Sequence, residues 1–232
     1  MGQFTEVITR LGKVRDNLVE FINEAGATVD SSMTLMNLAA HVPLIPTGIH
    51  QVTSGYQLFS NNDTMTELPL MLPVEKFTSM YQMCYRCTSL VYVRQLDTSN
   101  VSNMMWAFYG CSALEQIDAL ITSQLTSVTE LFHGCSSLHT IGYPLDFSSV
   151  TSKIDTTSTS CRALENVTFN GTINVDIAMN GCTKLSLDSL LSLLNALADG
   201  VTDKTCKIGS TNLGKLTEEQ KAIATNKGWT LA

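Results

Sequence analysis

Residues 96–114 read LDTSNVSNMMWAFYGCSAL, and the end of this stretch recurs through the middle of the chain. The recurring unit is a cysteine followed three residues later by a leucine. Its five copies begin at Cys87, Cys111, Cys135, Cys161 and Cys182. The cysteines are 24, 24, 26 and 21 residues apart, a period typical of stacked-repeat proteins. The sequence therefore predicts an array in which each repeat buries its apolar side chains against its neighbours.

Further apolar positions keep the same register, which strengthens the prediction. They stand seven residues before the cysteine (Met80, Met104, Val128, Ile154, Val175), three before it (Cys84, Phe108, Phe132 and Met179, with Ser158 the exception), and three after the leucine (Val93, Ile117, Ile141, Val167). We expect a short strand near each member of the last set. A helical or 3-10 turn is expected to lead into each cysteine.

Two stretches resemble known repeat proteins. Residues 96–114, together with LFHGCSSL at 131–138, resemble the BspA-type leucine-rich repeats of bacterial surface proteins. The end of the chain, STNLGKLTEEQKAIATNKGWTLA at 210–232, resembles the C-terminal tail often found on such repeats in phage and prophage fibre-like proteins. The resemblance implies a leucine-rich-repeat fold and a binding rather than a catalytic role. The resemblance does not indicate which ligand such a protein would bind.

The fold class expected from these observations is α+β. We predict a leucine-rich-repeat solenoid of about five repeats of 21–26 residues, with an N-terminal helical module and a C-terminal α/β cap. Pro43 and Pro46 mark the end of the first module. Ser186 is placed to cap a helix over 187–198, and Thr217 begins a capping box for a last helix. The predicted divisions are a helical oligomerisation or docking module (1–47), a linker and N-terminal cap (48–75), the repeats (76–185) and the C-terminal cap (186–232).

The first module contains a heptad-like stripe of apolar residues. Its members are Phe4, Val7, Leu11, Val14, Leu18 and Phe21, at the 3-4-3-4-3 spacing of a coiled-coil seam. One interpretation is an oligomeric coiled coil, for which phenylalanines in the seam favour a trimer over a dimer. The other is that the stripe packs on a second short helix over 31–41.

Composition limits the classes of partner and location. Charged residues make up 15% of the chain and the net charge is −7, which argues against binding to nucleic acid. No run approaches the roughly 18 apolar residues of a membrane span, so we expect no membrane insertion. Residues 1–24 show no apolar segment typical of a secretory signal. We therefore favour a virion component assembled in the host cytoplasm over a protein exported to the bacterial cell surface.

No pattern of catalytic residues is visible, so we expect a non-enzymatic protein without cofactors. The four histidines are scattered, and none stands beside an acid and a nucleophile in a recognisable order. Cys84 and Cys87 form a lone C-x-x-C without a second pair at zinc-site spacing. The repeated cysteines are expected to be small buried core residues rather than metal ligands.

Aromatic residues form the candidate binding site. Tyr85, Tyr109 and His133 stand two residues before successive cysteines, a position that alternates away from the buried one. Trp106 and Tyr92 lie at other offsets of the same repeats. A ladder of aromatic rings could contact sugar rings, or it could simply pack the side of the repeats. Both interpretations remain open at this point.

The function expected from the sequence is therefore attachment. We predict a phage virion protein, a fibre or tail-associated component, that forms a homo-oligomer and contacts other virion proteins through its N-terminal module. Its repeats would present a surface to a host glycan or protein. The alternative is a bacterial leucine-rich-repeat adhesin or protein-interaction module.

Overall fold

The computed structural model describes residues 54–68, 74–155 and 161–232. A 3-10 helix spans Val74–Lys76. Nine short strands follow: β1 (Tyr92–Val93), β2 (Gln116–Ile117), β3 (Thr140–Ile141), β4 (Leu145–Asp146), β5 (Ile154–Asp155), β6 (Phe169–Asn170), β7 (Ile177–Ala178), β8 (Lys204–Lys207) and β9 (Trp229–Leu231). The α-helices of the described residues lie near the C-terminus: α1 (Leu187–Ala196), α2 (Gly209–Leu213) and α3 (Glu218–Thr225).

The strands form three small parallel sheets, with orders β1-β2-β3, β4-β6 and β5-β7-β8-β9. In the first sheet Val93 pairs with Ile117, and Ile117 pairs with Ile141. Isolated parallel bridges join Ser79 to Asn103 and Asn103 to Ser127. Each of these pairs is 24 residues apart, so successive repeats lie directly over one another. We call each repeat a layer and name it by its cysteine.

The predicted α+β leucine-rich-repeat solenoid is wrong. In the described part of the repeats, each layer contains turns and strands of two residues, with no α-helix, and the strands are divided among small sheets. Near Val167, where a strand was predicted, Asn166 makes a single bridge with Thr140, and β6 begins at Phe169.

Backbone hydrogen bonding explains why no helix forms before each cysteine. Alternate amides of the Cys87 layer donate to the next layer: those of Gln82, Cys84 and Arg86 reach the carbonyls of Met105, Ala107 and Tyr109. The amides between them bond three residues back within their own layer. An α-helix needs every amide to bond four residues back, so this pattern excludes it. Left-handed backbone at Gln82 and Arg86, with φ of 54° and 57°, also breaks a right-handed helix.

The core consists of the apolar positions predicted from the repeat. The five repeated cysteines, which we call the column cysteines, are all at most 1% exposed. So are the residues seven positions before them, from Met80 to Ile154. Val175, the last member of that set, is only partly buried. Because each layer stacks on the next, equivalent side chains form continuous apolar columns through the protein.

The C-terminal cap contains the two helix starts expected from its sequence. The Ser186 side chain accepts a hydrogen bond from the Ser189 amide at the start of α1. Thr217 and Gln220 form a complete capping box at the start of α3. Lys227 closes the other end of α1, since its Nζ donates to the carbonyls of Leu194, Asn195 and Leu197 at 3.3, 2.7 and 2.7 Å. An ammonium group at a helix C-terminus satisfies carbonyls that have no partner within the helix.

Candidate interaction surface

Tyr85, Tyr109 and His133 form a ladder of stacked rings. The ring centroids of Tyr85 and Tyr109 are 4.9 Å apart at an interplanar angle of 18°. Those of Tyr109 and His133 are 4.4 Å apart at 4°. All three residues are half-buried. The structure therefore brings together the three members of the predicted column.

This stacking determines which parts of the rings a ligand could reach. Both faces of the Tyr109 ring are covered, one by Tyr85 and the other by His133. The Arg86 guanidinium carbon lies 5.4 Å from the centre of the Tyr85 ring. Sugar rings bind aromatic side chains through an open ring face, so Tyr109 offers a ligand only its edge and hydroxyl group.

A second ladder runs beside the first and includes two residues that the sequence analysis missed. Tyr56 and Tyr81 stack at 5.4 Å and 6°, and Tyr81 lies 5.6 Å from Trp106 at 46°. Tyr56 is 59% exposed. The signal in the sequence is the dipeptide Tyr-Gln, which occurs at 56–57 and again at 81–82. The second ladder was missed for two reasons. Tyr56 precedes the first of the repeated cysteines, and Trp106 stands five residues before its cysteine whereas Tyr81 stands six before its own.

The two ladders lie on the same turn segments of successive layers. Residues 81–86 carry Tyr81 and Tyr85, and residues 105–110 carry Trp106 and Tyr109. We define the aromatic strip as the six residues Tyr56, Tyr81, Tyr85, Trp106, Tyr109 and His133. Exposed or half-exposed, it follows the stacking direction over four layers.

Trp106 adopts a backbone conformation that is unusual for a bulky residue. Its φ is 58°, in the left-handed region, which costs a residue with a Cβ atom about 1–2 kcal/mol. The equivalent residues Gln57, Gln82 and Glu130 share this conformation, with φ between 50° and 54°. The Trp106 Nε1 donates to Glu130 Oε2 at 3.1 Å. The fold thus holds a tryptophan where glycine or asparagine would be less strained.

A second left-handed column allows the first ladder to stack closely. It contains Arg86, Gly110 and Gly134, with φ of 57°, 73° and 83°. A Cβ atom on Gly134 would lie 2.8 Å from the Gly110 Cα atom, closer than two carbons can approach. Glycine is therefore required beside Tyr109 and His133 for the layers to meet at this spacing.

Tyr92 occupies a different part of the protein. It lies in β1, where its hydroxyl donates to Asp118 Oδ2, and the Arg94 guanidinium carbon is 5.8 Å from its ring centre. Gln116 Nε2 donates to Asp118 Oδ1 at 2.8 Å. The hydrogen bond to Asp118 raises the pKa of Tyr92. Its contacts join it to the strand side of the layers, separate from the aromatic strip.

The column cysteines make a contact that the sequence did not reveal. The thiols of four of them donate to a backbone carbonyl in the preceding layer: Cys87 to Phe59, Cys111 to Cys84, Cys135 to Phe108 and Cys161 to Phe132, at 3.0–3.1 Å. Hydrogen bonds with neighbouring thiols raise the pKa of Cys111 and Cys161, whereas hydrogen bonds with Cys111 and Cys84 lower the pKa of Cys87 to about 4. Outside the column, burial raises the pKa of Cys84, and that of Cys206 to about 12. A neutral buried thiol is a poor nucleophile.

Metal-binding clusters and membrane-spanning helices are both absent from the part of the chain that the structure describes. Residues 54–68, 74–155 and 161–232 contain no group of three or more His, Cys, Asp or Glu side chains placed to hold a metal ion. None of the helices described is long and apolar enough to cross a membrane. The predicted oligomerisation residues Phe4, Val7, Leu11, Val14, Leu18 and Phe21 lie outside the described residues.

Comparison with known proteins identifies a family. Neither the curated proteins nor the solved structures contain a match. The family model described as "Mycoplasma protein of unknown function, DUF285" matches residues 49–170, a region that contains the whole aromatic strip. The resemblance to BspA-type repeats stays a prediction. Because the match covers more than half of the 232 residues, the chain belongs to the DUF285 family.

Proposed function

We propose that the protein is a non-enzymatic attachment or structural protein of a phage virion, and that it binds a macromolecular partner through the aromatic strip. The observation that carries the proposal is the placement of Trp106. Its left-handed backbone costs folding energy, and its side chain is left partly exposed on the strip. Strained residues of this kind are concentrated at functional sites.

The composition of the strip favours a protein partner. Tyrosine and tryptophan are enriched at the centres of protein interfaces, where they contribute much of the binding energy. The hydroxyls of Tyr85 and Tyr109 provide polar groups at the edges of an otherwise apolar surface. A glycan would bind less well, because the stacked rings cover one another's faces. We therefore propose a protein, rather than a glycan, as the partner that the strip contacts.

Two locations fit such a function. The virion is supported by the resemblance of residues 210–232 to phage fibre tails and by the low charge of the chain. The alternative is a bacterial surface interaction protein, and the word Mycoplasma in the family description favours it. Antibody labelling of purified phage particles and of intact cells from the source culture distinguishes the two. Labelled particles support the virion, and labelled cell surfaces without labelled particles support the alternative.

Binding of the labelled protein to a panel of fixed bacterial cells tests the role of the strip. Trp106→Gly removes the ring and relieves the backbone, so the protein should fold while cell binding falls. Tyr143→Ser is the matched control, because Tyr143 is 46% exposed and lies outside the strip. Equal binding by the wild-type protein and Trp106→Gly, on cells that the wild-type protein binds, would contradict the proposal.

A further inference from the structure

Trp106 ends the second ladder with its ring only partly covered. In the ladder of Tyr85, Tyr109 and His133 the interplanar angles are 18° and 4°, so the ring faces are parallel and cover one another. Tyr81 meets Trp106 at 46° instead, and among the described residues no other ring stacks on Trp106. Trp106 is half-buried, so part of its face stays open. Tryptophan has the aromatic face that attracts a cation most strongly.

Glu130 lies beside Trp106 in the next layer and has an unused acceptor. Its Oε2 atom accepts the hydrogen bond from Trp106 Nε1 at 3.1 Å, and no described residue donates to its Oε1 atom. Within the described part of the chain Glu130 also makes no ion pair. An ionised carboxylate forms its strongest hydrogen bonds with charged donors. Trp106 and Glu130 therefore offer an aromatic face and an anionic oxygen to the same ligand.

The strand side of the protein shows what such a pair of groups binds. There the guanidinium carbon of Arg94 lies 5.8 Å from the centre of the Tyr92 ring, and Arg94 Nη2 lies 3.3 Å from Glu67 Oε2. Tyr92 and Glu67 belong to neighbouring layers joined by a parallel bridge. Trp106 and Glu130 also belong to neighbouring layers. They supply the ring and the carboxylate of the same arrangement, and the guanidinium has to come from a partner.

The charge of the surrounding layers favours a cationic partner. The chain contains no lysine or arginine between Arg94 and Lys153, a stretch that includes Trp106. Five acidic residues lie in the same stretch: Asp97, Glu115, Asp118, Glu130 and Asp146. A surface with charges of one sign attracts partners of the opposite sign and repels others.

We infer that the protein partner of the aromatic strip presents an arginine, whose guanidinium stacks on Trp106 and donates to Glu130 Oε1. This inference rests on the proposed function of the strip as a partner surface. Arginine fits better than lysine, because its planar guanidinium lies flat on a ring while its edge donates hydrogen bonds. The ammonium group of lysine is a compact point charge that does not stack.

Two peptides test the inference on the full chain by NMR. Citrulline has the planar shape of arginine without its charge, so acetyl-Gly-Arg-Gly-Arg-Gly amide and its citrulline counterpart differ only in that charge. The chain has two indole N–H signals, from Trp106 and Trp229, and Trp106→Gly assigns them. The arginine peptide should shift the Trp106 signal with saturation. The Trp229 signal should not move, because this indole is buried and donates to the Ala198 carbonyl. The citrulline peptide should move neither signal.

Glu130→Gln tests the part played by the carboxylate. A glutamine oxygen still accepts from Trp106 Nε1, so the ring stays in place while the charge is lost. The Kd of the arginine peptide should rise about two- to fivefold, the contribution of a partly exposed ion pair. Glu115→Gln is the charge-matched control, because Glu115 is exposed and lies beside β2, outside the strip. Its Kd should equal that of the wild-type protein.

Chemical modification of the target cells tests the partner itself. Phenylglyoxal treatment of the cells blocks their surface arginines, and acetylation blocks their surface lysines. Binding of the wild-type protein should be lost on the first cells and kept on the second.

The outcomes separate this inference from the proposed function. Equal shifts by the two peptides, an equal Kd for Glu130→Gln and wild type, or undiminished binding to arginine-blocked cells would overturn the inference. If Trp106→Gly loses cell binding in spite of such a result, the strip contacts a partner without arginine and only the inference fails. If Trp106→Gly binds cells as the wild-type protein does, the proposed function fails and the inferred partner with it.

Discussion

Replacing Trp106 by alanine and by glycine measures the backbone strain at the centre of the strip. Both variants lose the same ring contact with Tyr81 and the same hydrogen bond to Glu130, so these losses cancel in their difference. Alanine keeps the left-handed penalty of about 1–2 kcal/mol. Glycine avoids it but loses about 0.5–1 kcal/mol more conformational entropy on folding. The glycine variant should therefore be more stable by about 0.75 kcal/mol, the difference between the midpoints of these two ranges.

Urea unfolding provides the assay, with Met105 as the control position. Met105 precedes Trp106 in the same layer and has no positive φ. There the order should reverse, with glycine less stable than alanine by about 0.5–1 kcal/mol. Trp229 is buried and becomes the only tryptophan in the Trp106 variants, so its fluorescence reports unfolding. If alanine is as stable as glycine at position 106, the argument from strain to function is wrong.

Three further predictions concern the rest of the fold. Gly134→Ala should destabilise the protein by about 2 kcal/mol or more. In thermal melts this variant should lose more stability than Gly200→Ala, because a Cβ atom would clash at Gly134 but meet open space at Gly200. Lys227→Met should cost about 1–3 kcal/mol in urea unfolding by leaving carbonyls of α1 unpaired, whereas Lys221→Met, on an exposed ion pair, should change little. Burial raises the pKa of the Cys206 thiol from 9.0 to about 12. The stability that the neutral buried thiol contributes is fully present below pH 9 and is lost as the pH rises towards 12. In urea unfolding at alkaline pH, Cys206→Ala should therefore lose stability less steeply than the wild-type protein.

The apolar core could be predicted because burial leaves a periodic trace in the sequence. Cys111, Phe108 and Ile117 are each repeated at 24 residues, and all are buried as expected. Periodicity shows which positions face inward and which layers are neighbours. It contains no information about how the backbone between those positions satisfies its hydrogen bonds.

The fold class was wrong for that reason. The turn before each cysteine has apolar residues at spacings that suit a helix as well as a stacked turn. The choice depends on the left-handed conformation of residues such as Arg86 and Glu130. Arginine and glutamate favour helices in isolation, so their local preference points to the wrong structure. Contacts between layers override it.

The candidate site was predicted in part. Tyr85, Tyr109 and His133 share an offset from their cysteines, and their rings do stack. Tyr81 escaped notice because its stacking partner Trp106 stands at a different offset, and only the backbone register of the layers shows that their rings meet. Tyr92 shares the layers but not the surface.

The 24-residue register has a consequence for how such a protein can change in length. Inserting or deleting one complete repeat would leave every remaining hydrogen bond between layers intact and alter the stack by about 4.8 Å. A repeat added within the aromatic strip would lengthen that surface by one layer and leave the layers on either side unchanged.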